Sequence, residues 1–293
     1  MKKSIIALAV AGAMTAPMVA QADATLFGEA RYDIVKEKDT KINSDITRIR
    51  FGVKGEETMD SGLTAGYFLR FDGTGSNDVT TQKAALYVAG DFGKVVMGQA
   101  DSPAANVEDR TAYVSIRGDE LGIVGTEWDH SGLQYESNDL NGLKFSVGMG
   151  NVDTNDARGE NGYGAMVSYD TDVFGVTAGV GETAGANGKT QAGISGEYKF
   201  GAGAVGVSFT DVEDTSSYVA VSGKYSIDKL TLAAQFETKK LDANDDKQKA
   251  VSVSASYALG GNAAVAISAV NFNDNAEAVA KKDAVVVRYS VSF

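Results

Sequence analysis

The residue types that support covalent or metal chemistry are few in this chain. It has one histidine, His130, and no cysteine. A hydrolytic site needs a nucleophile beside a base that a third group orients, and nothing in the sequence marks the neighbouring Ser131 as activated. Histidine and cysteine metal sites are excluded, and no acidic run has the spacing of a known calcium loop. We therefore expect no enzyme activity, no cofactor and no metal ion, and interpret His130 as a solvated loop residue.

Charge rather than nucleophilicity distinguishes the long connection over residues 100–130. It opens at Pro103, the one proline outside the first 22 residues, and contains the arginines Arg110 and Arg117. Its net charge is −5, because seven acids accompany them: Asp101, Glu108, Asp109, Asp119, Glu120, Glu127 and Asp129. Loops this long in compact proteins usually have a function. We therefore expect this connection to have a function.

Basic residues of the preceding segments alternate with apolar ones. If Ile49, Phe51 and Val53 face lipid, Arg48 and Arg50 face the opposite side. The same alternation groups Glu29, Arg31 and Asp33, and separates Phe68 and Arg70 from Leu69 and Phe71. A basic side chain on a lipid-facing strand near the membrane midplane costs roughly 2–4 kcal/mol. Arg31, Arg48, Arg50 and Arg70 are therefore predicted to face a water-filled interior.

The segments that hold these residues alternate with a period of two, which indicates strands. The last segment places Val285, Val287, Tyr289, Val291 and Phe293 on one face. Strands of about ten residues suit a bilayer, and a sheet in lipid must close because no open edge is satisfied there. We predict an all-β, sixteen-stranded antiparallel transmembrane barrel. Its strands are expected at about 24–36, 44–56, 62–72, 81–91, 93–99, 131–137, 142–151, 161–171, 173–182, 189–200, 202–212, 217–227, 229–240, 247–259, 262–272 and 283–293.

The connections and the aromatic residues fit this barrel. Short turns are predicted at 91–93, 201–202, 228–229 and 260–261, while the opposite rim has longer polar junctions such as Gly73–Asp78. Aromatic residues near strand ends match interfacial belts: Tyr169, Tyr198, Tyr225, Tyr257 and Phe293. A soluble β-sandwich is the alternative, but it needs no aromatic residue at the very end of the chain.

The first 22 residues form a predicted signal peptide, which leaves 23–293 as the barrel. Lys2 and Lys3 precede an apolar stretch, and Ala20-Gln21-Ala22 fits a cleavage site. Removing the two lysines takes the formal charge from −12 to −14. No later segment has eighteen consecutive apolar residues, so no helical span is expected. So acidic a chain gives no reason to expect a nucleic-acid partner.

Four segments resemble the general porins of the Gram-negative outer membrane. They are Thr25–Tyr32, Arg50–Ala65, Leu86–Pro103 and Arg288–Phe293, which occur in the order of the family's first strand, second hairpin, constriction approach and terminal strand. The resemblance implies a homotrimer of water-filled channels, each narrowed by a third loop that folds inward. The acids of that loop, here Glu108, Asp109, Asp119 and Glu120, are then expected to face the pore opposite basic wall residues such as Arg50. It also implies that Tyr289, Val291 and Phe293 are recognised by the barrel-assembly machinery. The chain departs from the family at Gln99, where an arginine is usual, and lacks the Pro-Glu-Phe-Gly-Gly motif.

The expected function is passive diffusion of ions and small hydrophilic solutes, with a weak preference for cations. The alternative is a solute-selective channel, for example for a sugar oligomer, although the single tryptophan, Trp128, is more typical of a loop anchor. A purely structural barrel comes third. Outer-membrane lipid and two further copies of the chain are the expected partners. Gly73–Asp78 is predicted to contact a neighbouring copy. The copies are also predicted to pack through small residues of their outer faces: Ala65, Ala85, Ala89 and Gly98.

Overall fold

The computed structural model describes most of the chain beyond the predicted signal peptide. The described residues are 24–75, 77–114, 116, 121, 127–152, 160–182, 189–243, 246–277 and 281–293. The predicted signal peptide, 1–22, lies outside them, and so do Asp119 and Glu120. Among the described residues, no helix is both long enough and apolar enough to cross a membrane.

Sixteen strands make up almost all of the described chain. Each predicted strand is present, and most ends agree within two residues, although the fourth and sixth strands each begin four residues earlier than expected. The strands are β1 Thr25–Glu37, β2 Asn43–Thr58, β3 Thr64–Thr74, β4 Asn77–Gly90, β5 Gly93–Asp101, β6 Glu127–Glu136, β7 Leu143–Val152, β8 Glu160–Asp170, β9 Phe174–Glu182, β10 Thr190–Phe200, β11 Gly203–Val212, β12 Ser216–Ile227, β13 Leu230–Leu241, β14 Lys247–Gly260, β15 Ala263–Phe272 and β16 Ala284–Ser292. Two short helices were not predicted: a 3₁₀ helix, Pro103–Thr111, and one α-helical turn, Asp274–Glu277.

The sheet closes on itself. Every strand pairs antiparallel with its neighbour in sequence, and β1 pairs with β16 in the register that sets Tyr32 opposite Tyr289. The backbones of Gly28 and Phe293 extend this seam with two hydrogen bonds, of 2.9 and 3.0 Å. Closure leaves no strand edge without a partner, as a lipid environment requires. The predicted transmembrane barrel is therefore confirmed.

Side chains alternate between an apolar outer face and a polar inner face. Along β11, Val205, Val207 and Phe209 are exposed on the outside, whereas Ser208 and Thr210 are buried within the barrel. The predicted aromatic residues at the short-turn rim are all exposed: Tyr169, Tyr198, Tyr225, Tyr257 and Phe293. An outer face of this kind is typical of a surface that contacts lipid.

The predicted short turns are confirmed, but one junction is shorter than expected. Asp228 and Asn262 adopt left-handed backbone conformations (φ 52° and 62°) in two of the tight turns. The segment Gly73–Asp78 is no extended loop, because β3 continues to Thr74 and β4 begins at Asn77. Only two residues separate the strands, and the contact of this segment with a neighbouring barrel stays a prediction.

The faces of β4 and β5 also differ from the prediction. Leu86 and Met97, a cross-strand pair, are exposed on the outside. Ala85 and Gly98 form the adjacent pair, so both point into the barrel, as does Ala89 two positions further along from Tyr87. Of the four small residues assigned to the outer face, only Ala65 lies there, opposite Val88.

Candidate channel constriction

The 3₁₀ helix Pro103–Thr111 packs on the lumen side of the barrel wall. It contacts strands β7 to β12, and Val107 is only 2% exposed. Glycines in the wall leave space for the backbone of this helix. A Cβ atom at Gly206 would lie 2.2 Å from the carbonyl oxygen of Arg110, and one at Gly179 would lie 2.7 Å from Val107. The loop backbone therefore approaches a wall that larger residues would block.

Arg110 joins the loop to three strands of this wall. Its Nη1 and Nη2 atoms donate to the two carboxylate oxygens of Asp170 at 2.8 and 3.0 Å, in the bidentate arrangement that is strongest for arginine. Its Nε atom donates to the hydroxyl of Thr177 at 2.8 Å, and Nη1 lies 3.5 Å from Glu197. The loop arginine is thereby neutralised by wall acids instead of facing solution.

Tyr113 provides a second contact with the same acid. Its hydroxyl donates to Glu197 at 2.5 Å, and the ammonium group of Lys224 lies 4.3 Å from the centre of its ring. Burial raises the pKa of the Tyr113 phenol, and the hydrogen bond to Glu197 raises it further. The phenol therefore stays protonated, and able to donate this hydrogen bond, at pH values above the ordinary pKa of tyrosine.

Further along, the loop reaches the inner faces of β13 and β15. The backbone N–H of Leu121 donates to Glu237 at 3.3 Å, and that fully buried carboxylate also accepts from Tyr218 and Gln235. Ser268 donates to the carbonyl oxygen of Ile116. Apolar clusters surround both contacts and form a core inside the barrel: Leu121, Tyr218, Ala220, Ala250, Val270, Phe272, Ala276 and Ala284, and separately Ile116, Ala266 and Val286.

The inner faces of β1, β2 and β3 hold a network of opposite charges. Arg31 lies 2.5 Å from Glu29, and Arg50 lies 2.6 Å from Asp72. Arg48 lies between these acids, 3.9 Å from Glu29 and 3.7 Å from Asp72. Each side chain remains about one-fifth to one-third exposed, so this wall presents partly neutralised arginines to water.

A cavity of about 790 Å³ adjoins this wall at the base of the loop. Arg70, Lys54 and Gln99 line it, and so do Lys83 and Asp101, which form an ion pair. Gln99 thus borders the cavity, at the position where the family usually has an arginine. The cavity contains charges of both signs, as expected for a wall in contact with water and ions.

The predicted pore residues occupy different environments. Arg31, Arg48, Arg50 and Arg70 all lie on the inner wall, whereas Glu108 is buried (8% exposed) and Asp109 is exposed. Asp119 and Glu120 lie outside the described residues. Sequence reasoning missed the contacts of Arg110 with Asp170 and Glu197. Glycines at inward positions of β9 and β11 were the available signal, but the sequence does not say which segment packs against them.

A closed sixteen-stranded barrel with an apolar outside and a charged interior defines an outer-membrane channel. The sequence model of the family described as Gram-negative porin matches residues 7–277, so the chain belongs to the Gram-negative porin family and lies in the outer membrane. Outer membrane porin protein 32 of Delftia acidovorans is 33% identical over 117 residues, which cover 34% of this chain and 32% of that protein. The match thus spans about a third of that relative's length.

Solved porin structures share the fold at low sequence identity. The chain superposes on Salmonella typhi OmpF with a TM-score of 0.80 at 16% identity, covering 93% of this chain and 98% of that one. Vibrio cholerae OmpT, described as a trimer form, superposes with a TM-score of 0.75 at 18% identity, covering 93% of this chain and 99% of that one. A mutant of the Rh. blastica porin superposes with a TM-score of 0.72 at 17% identity, covering 92% of this chain and 100% of that one.

Proposed function

We propose that this outer-membrane channel is a general diffusion porin with a weak preference for cations. Ions and small hydrophilic solutes would move down their gradients, without a catalytic step, a cofactor or an energy source. The observation that carries the proposal is the separation of charge across the lumen. Arginines line β1 to β3, while the acidic connection after β5 packs against the opposite wall through Pro103–Thr111.

The direction of the preference follows from the sum of these charges. Glu29 and Asp72 partly neutralise the arginine wall, and Gln99 supplies no positive charge where the family usually has one. The loop carries −5 and the chain without its first 22 residues −14. Barrel walls of low dielectric focus such a field, and salt screens it over about 8–10 Å at physiological strength. Cation preference should therefore weaken as salt concentration rises.

A planar-bilayer measurement of reversal potential in a potassium chloride gradient tests the preference. We expect a potential of the sign that indicates potassium permeation. Neutralising Glu108, Asp109, Asp119 and Glu120 together should move it toward chloride, and replacing Arg48 and Arg50 by alanine should move it further toward potassium. A wild-type channel that prefers chloride, or a loop variant with an unchanged potential, would contradict the assignment.

Liposome swelling with sugars of graded size tests general diffusion. We expect uptake that declines smoothly with solute size. Saturable uptake of one solute would instead support the solute-selective channel, and absence of permeation would leave only a structural barrel. This assay is independent of ion preference, so the two parts of the proposal can fail separately.

Homotrimeric assembly and processing complete the proposal. A trimer should migrate on unheated detergent electrophoresis as a high-mass species that collapses on boiling, and a monomer in mild detergent would argue against it. The sequence support is smaller than expected, since only Ala65 of the four small residues lies outside. We further propose removal of residues 1–22, and N-terminal sequencing of the outer-membrane form should begin at Asp23.

A further inference from the structure

The cavity of about 790 Å³ at the base of the loop has an aromatic surface on one side and open space beside it. Phe68 of β3 lines the cavity, and the ring of Phe27 from β1 stacks on it with the ring centroids 5.3 Å apart. In the cross-strand row that continues from Phe68, the next residues are Ala85 and Gly98, which are both small. The space beside the Phe68 ring therefore stays open, and a flat apolar group has room there.

Tyr87 borders this space toward the short-turn rim, two positions from Ala85 on the same face of β4. Its ring lies over Gly66, where a Cβ atom would be 2.1 Å from the Cζ atom of Tyr87. Its hydroxyl donates to Glu56 at 2.7 Å, and the ammonium group of Lys94 lies 5.0 Å from the ring centre. Ion conduction alone does not call for aromatic rings on a water-facing wall, because apolar surface in water costs free energy until something covers it.

The lining of the cavity is basic on balance. Two of its acids form ion pairs within the lining, Asp101 with Lys83 and Glu136 with Lys94, the latter at 3.0 Å. Of the described residues that line the cavity, five are basic and three are acidic: Lys54, Arg70, Lys83, Lys94 and Lys144, against Glu56, Asp101 and Glu136. The ion pairs therefore leave a surplus of positive charge around the aromatic surface.

Lys54 is the cation best placed to contact an anion beside the Phe68 ring. It is the cross-strand partner of Phe68 and is exposed, and its ammonium group lies 5.9 Å from the centre of the Phe27 ring. The described part of the chain gives Lys54 no ion pair. Glu56, which follows it on the same face of β2, accepts from the hydroxyl of Tyr87. The ammonium group of Lys54 is thus available to a solute.

We propose that this cavity binds an aromatic carboxylate, with its ring against Phe68 above Ala85 and its carboxylate on Lys54. One ring contact and one charge-assisted hydrogen bond give a weak site, which suits a solute that must leave again. A neutral sugar would leave Lys54 without an anion, and an aromatic cation would enter a lining of positive charge. The site rests on the proposed channel function only because a solute must enter the lumen, and it does not depend on the ion preference.

The test uses the whole barrel refolded in dodecyl maltoside, with para-fluorobenzoate as the probe and its fluorine NMR resonance as the signal. The wild type should broaden and shift this resonance beyond the effect of empty micelles, with a dissociation constant in the millimolar range. Benzoate should displace the probe, whereas cyclohexanecarboxylate, benzylamine and glucose at the same concentration should displace much less. The measurement needs no ion flow, so its failure is distinct from a failure of the bilayer and liposome experiments.

Two pairs of variants locate the site. Lys54→Gln should weaken binding about tenfold, because it removes the charged partner of the carboxylate. Lys199→Gln removes an exposed lysine that follows Glu197 on the inner face of β10, outside the cavity, and should bind as the wild type does. Phe68→Leu should weaken binding about fivefold, whereas Phe71→Leu removes a ring from the outer face of the same strand and should not.

The proposal is overturned if the wild type affects the probe no more than empty micelles do, or if Lys54→Gln and Lys199→Gln bind it equally. It is also overturned if cyclohexanecarboxylate displaces the probe as well as benzoate does, since the aromatic face would then play no part. Displacement by benzylamine at the same concentration as benzoate would show that the site does not select an anion. The comparisons of solutes use the wild type alone, so they decide the question even where a variant fails to fold.

Discussion

The inner faces of β1 to β3 and of β8 to β12 belong to one sheet but differ in content. The first has long charged side chains paired with one another, such as Arg50 with Asp72. The second has small residues, among them Gly179, Gly206 and Ser208, with the loop packed directly on them. Their outer faces are alike. The difference shows that the inward residues of each wall suit what that wall contacts. Charged residues face water and ions on one side, and small residues contact protein on the other.

The barrel closes where β1 pairs with β16, and changes there should have the largest effect. Deleting Phe293 removes two backbone hydrogen bonds to Gly28 and an aromatic ring packed over that glycine. We expect a severe loss of the protein from the outer membrane, measured by immunoblotting of membrane fractions, with normal conductance in any channel that assembles.

The matched control for this deletion is Phe200→Ala, which removes another exposed aromatic ring from the same rim. If Phe293 serves only the aromatic belt, the two changes should reduce outer-membrane levels alike. Normal abundance of the chain that lacks Phe293 would contradict its role in assembly, and with it the assigned roles of Tyr289 and Val291.

Filling the loop-bearing wall should have the next largest effect. Gly206→Val places a branched side chain where a Cβ atom alone would lie 2.2 Å from the Arg110 carbonyl oxygen. Overpacking of this kind costs roughly 1–3 kcal/mol. We expect the loop to be displaced from the wall, which lowers the thermal transition and changes single-channel conductance.

Gly223→Val is the control, because the nearest atoms to a Cβ atom there lie at 3.7 Å and the position faces outward. It should leave conductance unchanged. Equal conductance of the Gly206 variant and the wild type would mean that the packing of the loop on this wall does not set the width of the channel.

Removing the loop arginine should have a smaller effect than filling the wall. Arg110→Ala deletes the bidentate contact with Asp170 but keeps the packing of Val107. Hydrogen bonds to charged groups contribute roughly 1.5–3 kcal/mol, and the lower end applies because Asp170 is partly exposed. We expect noisier open-channel current, with a smaller loss of thermal stability than for Gly206→Val.

A double-mutant cycle with Asp170→Asn checks this interpretation. If the pair acts as a unit, the second change should add little once the first is made. Strictly additive effects would show that Arg110 stabilises the loop through Thr177 or Glu197 instead.

Alternation of side chains was sufficient to predict the strands and the inward position of the arginines. Where large apolar and charged residues alternate, as from Arg48 to Val53, the free-energy cost of placing a charge in lipid permits only one assignment of the inner and outer faces. The prediction failed at Ala85, because the adjacent Ala84 is equally small and either residue could face outward. It failed at Gly73–Asp78 because turn-forming residues are equally typical of a hairpin and of a longer loop.

The candidate constriction was less accessible to sequence reasoning, since it depends on contacts between segments far apart in the chain. Arg110 and Asp170 are separated by sixty residues, and neither belongs to a motif. Glycine density was visible, but glycine is compatible with a turn, a bulge or a close approach. Only the path of the loop shows that Gly206 serves the last purpose.

The smallest expected effect separates two neighbouring acids of the loop. Glu108 is buried on the side of the wall that holds Lys239, whereas Asp109 is exposed. A charge in contact with permeating ions influences them more than one screened by protein and by a nearby lysine. Asp109→Asn should therefore shift the reversal potential in a potassium chloride gradient toward chloride, and Glu108→Gln should shift it less. Both changes remove one negative charge and keep a similar shape, so each controls for the other. A larger shift for Glu108→Gln would mean that the buried carboxylate dominates the field of the lumen, and that the comparison of a water-facing wall with a protein-facing wall does not describe selectivity.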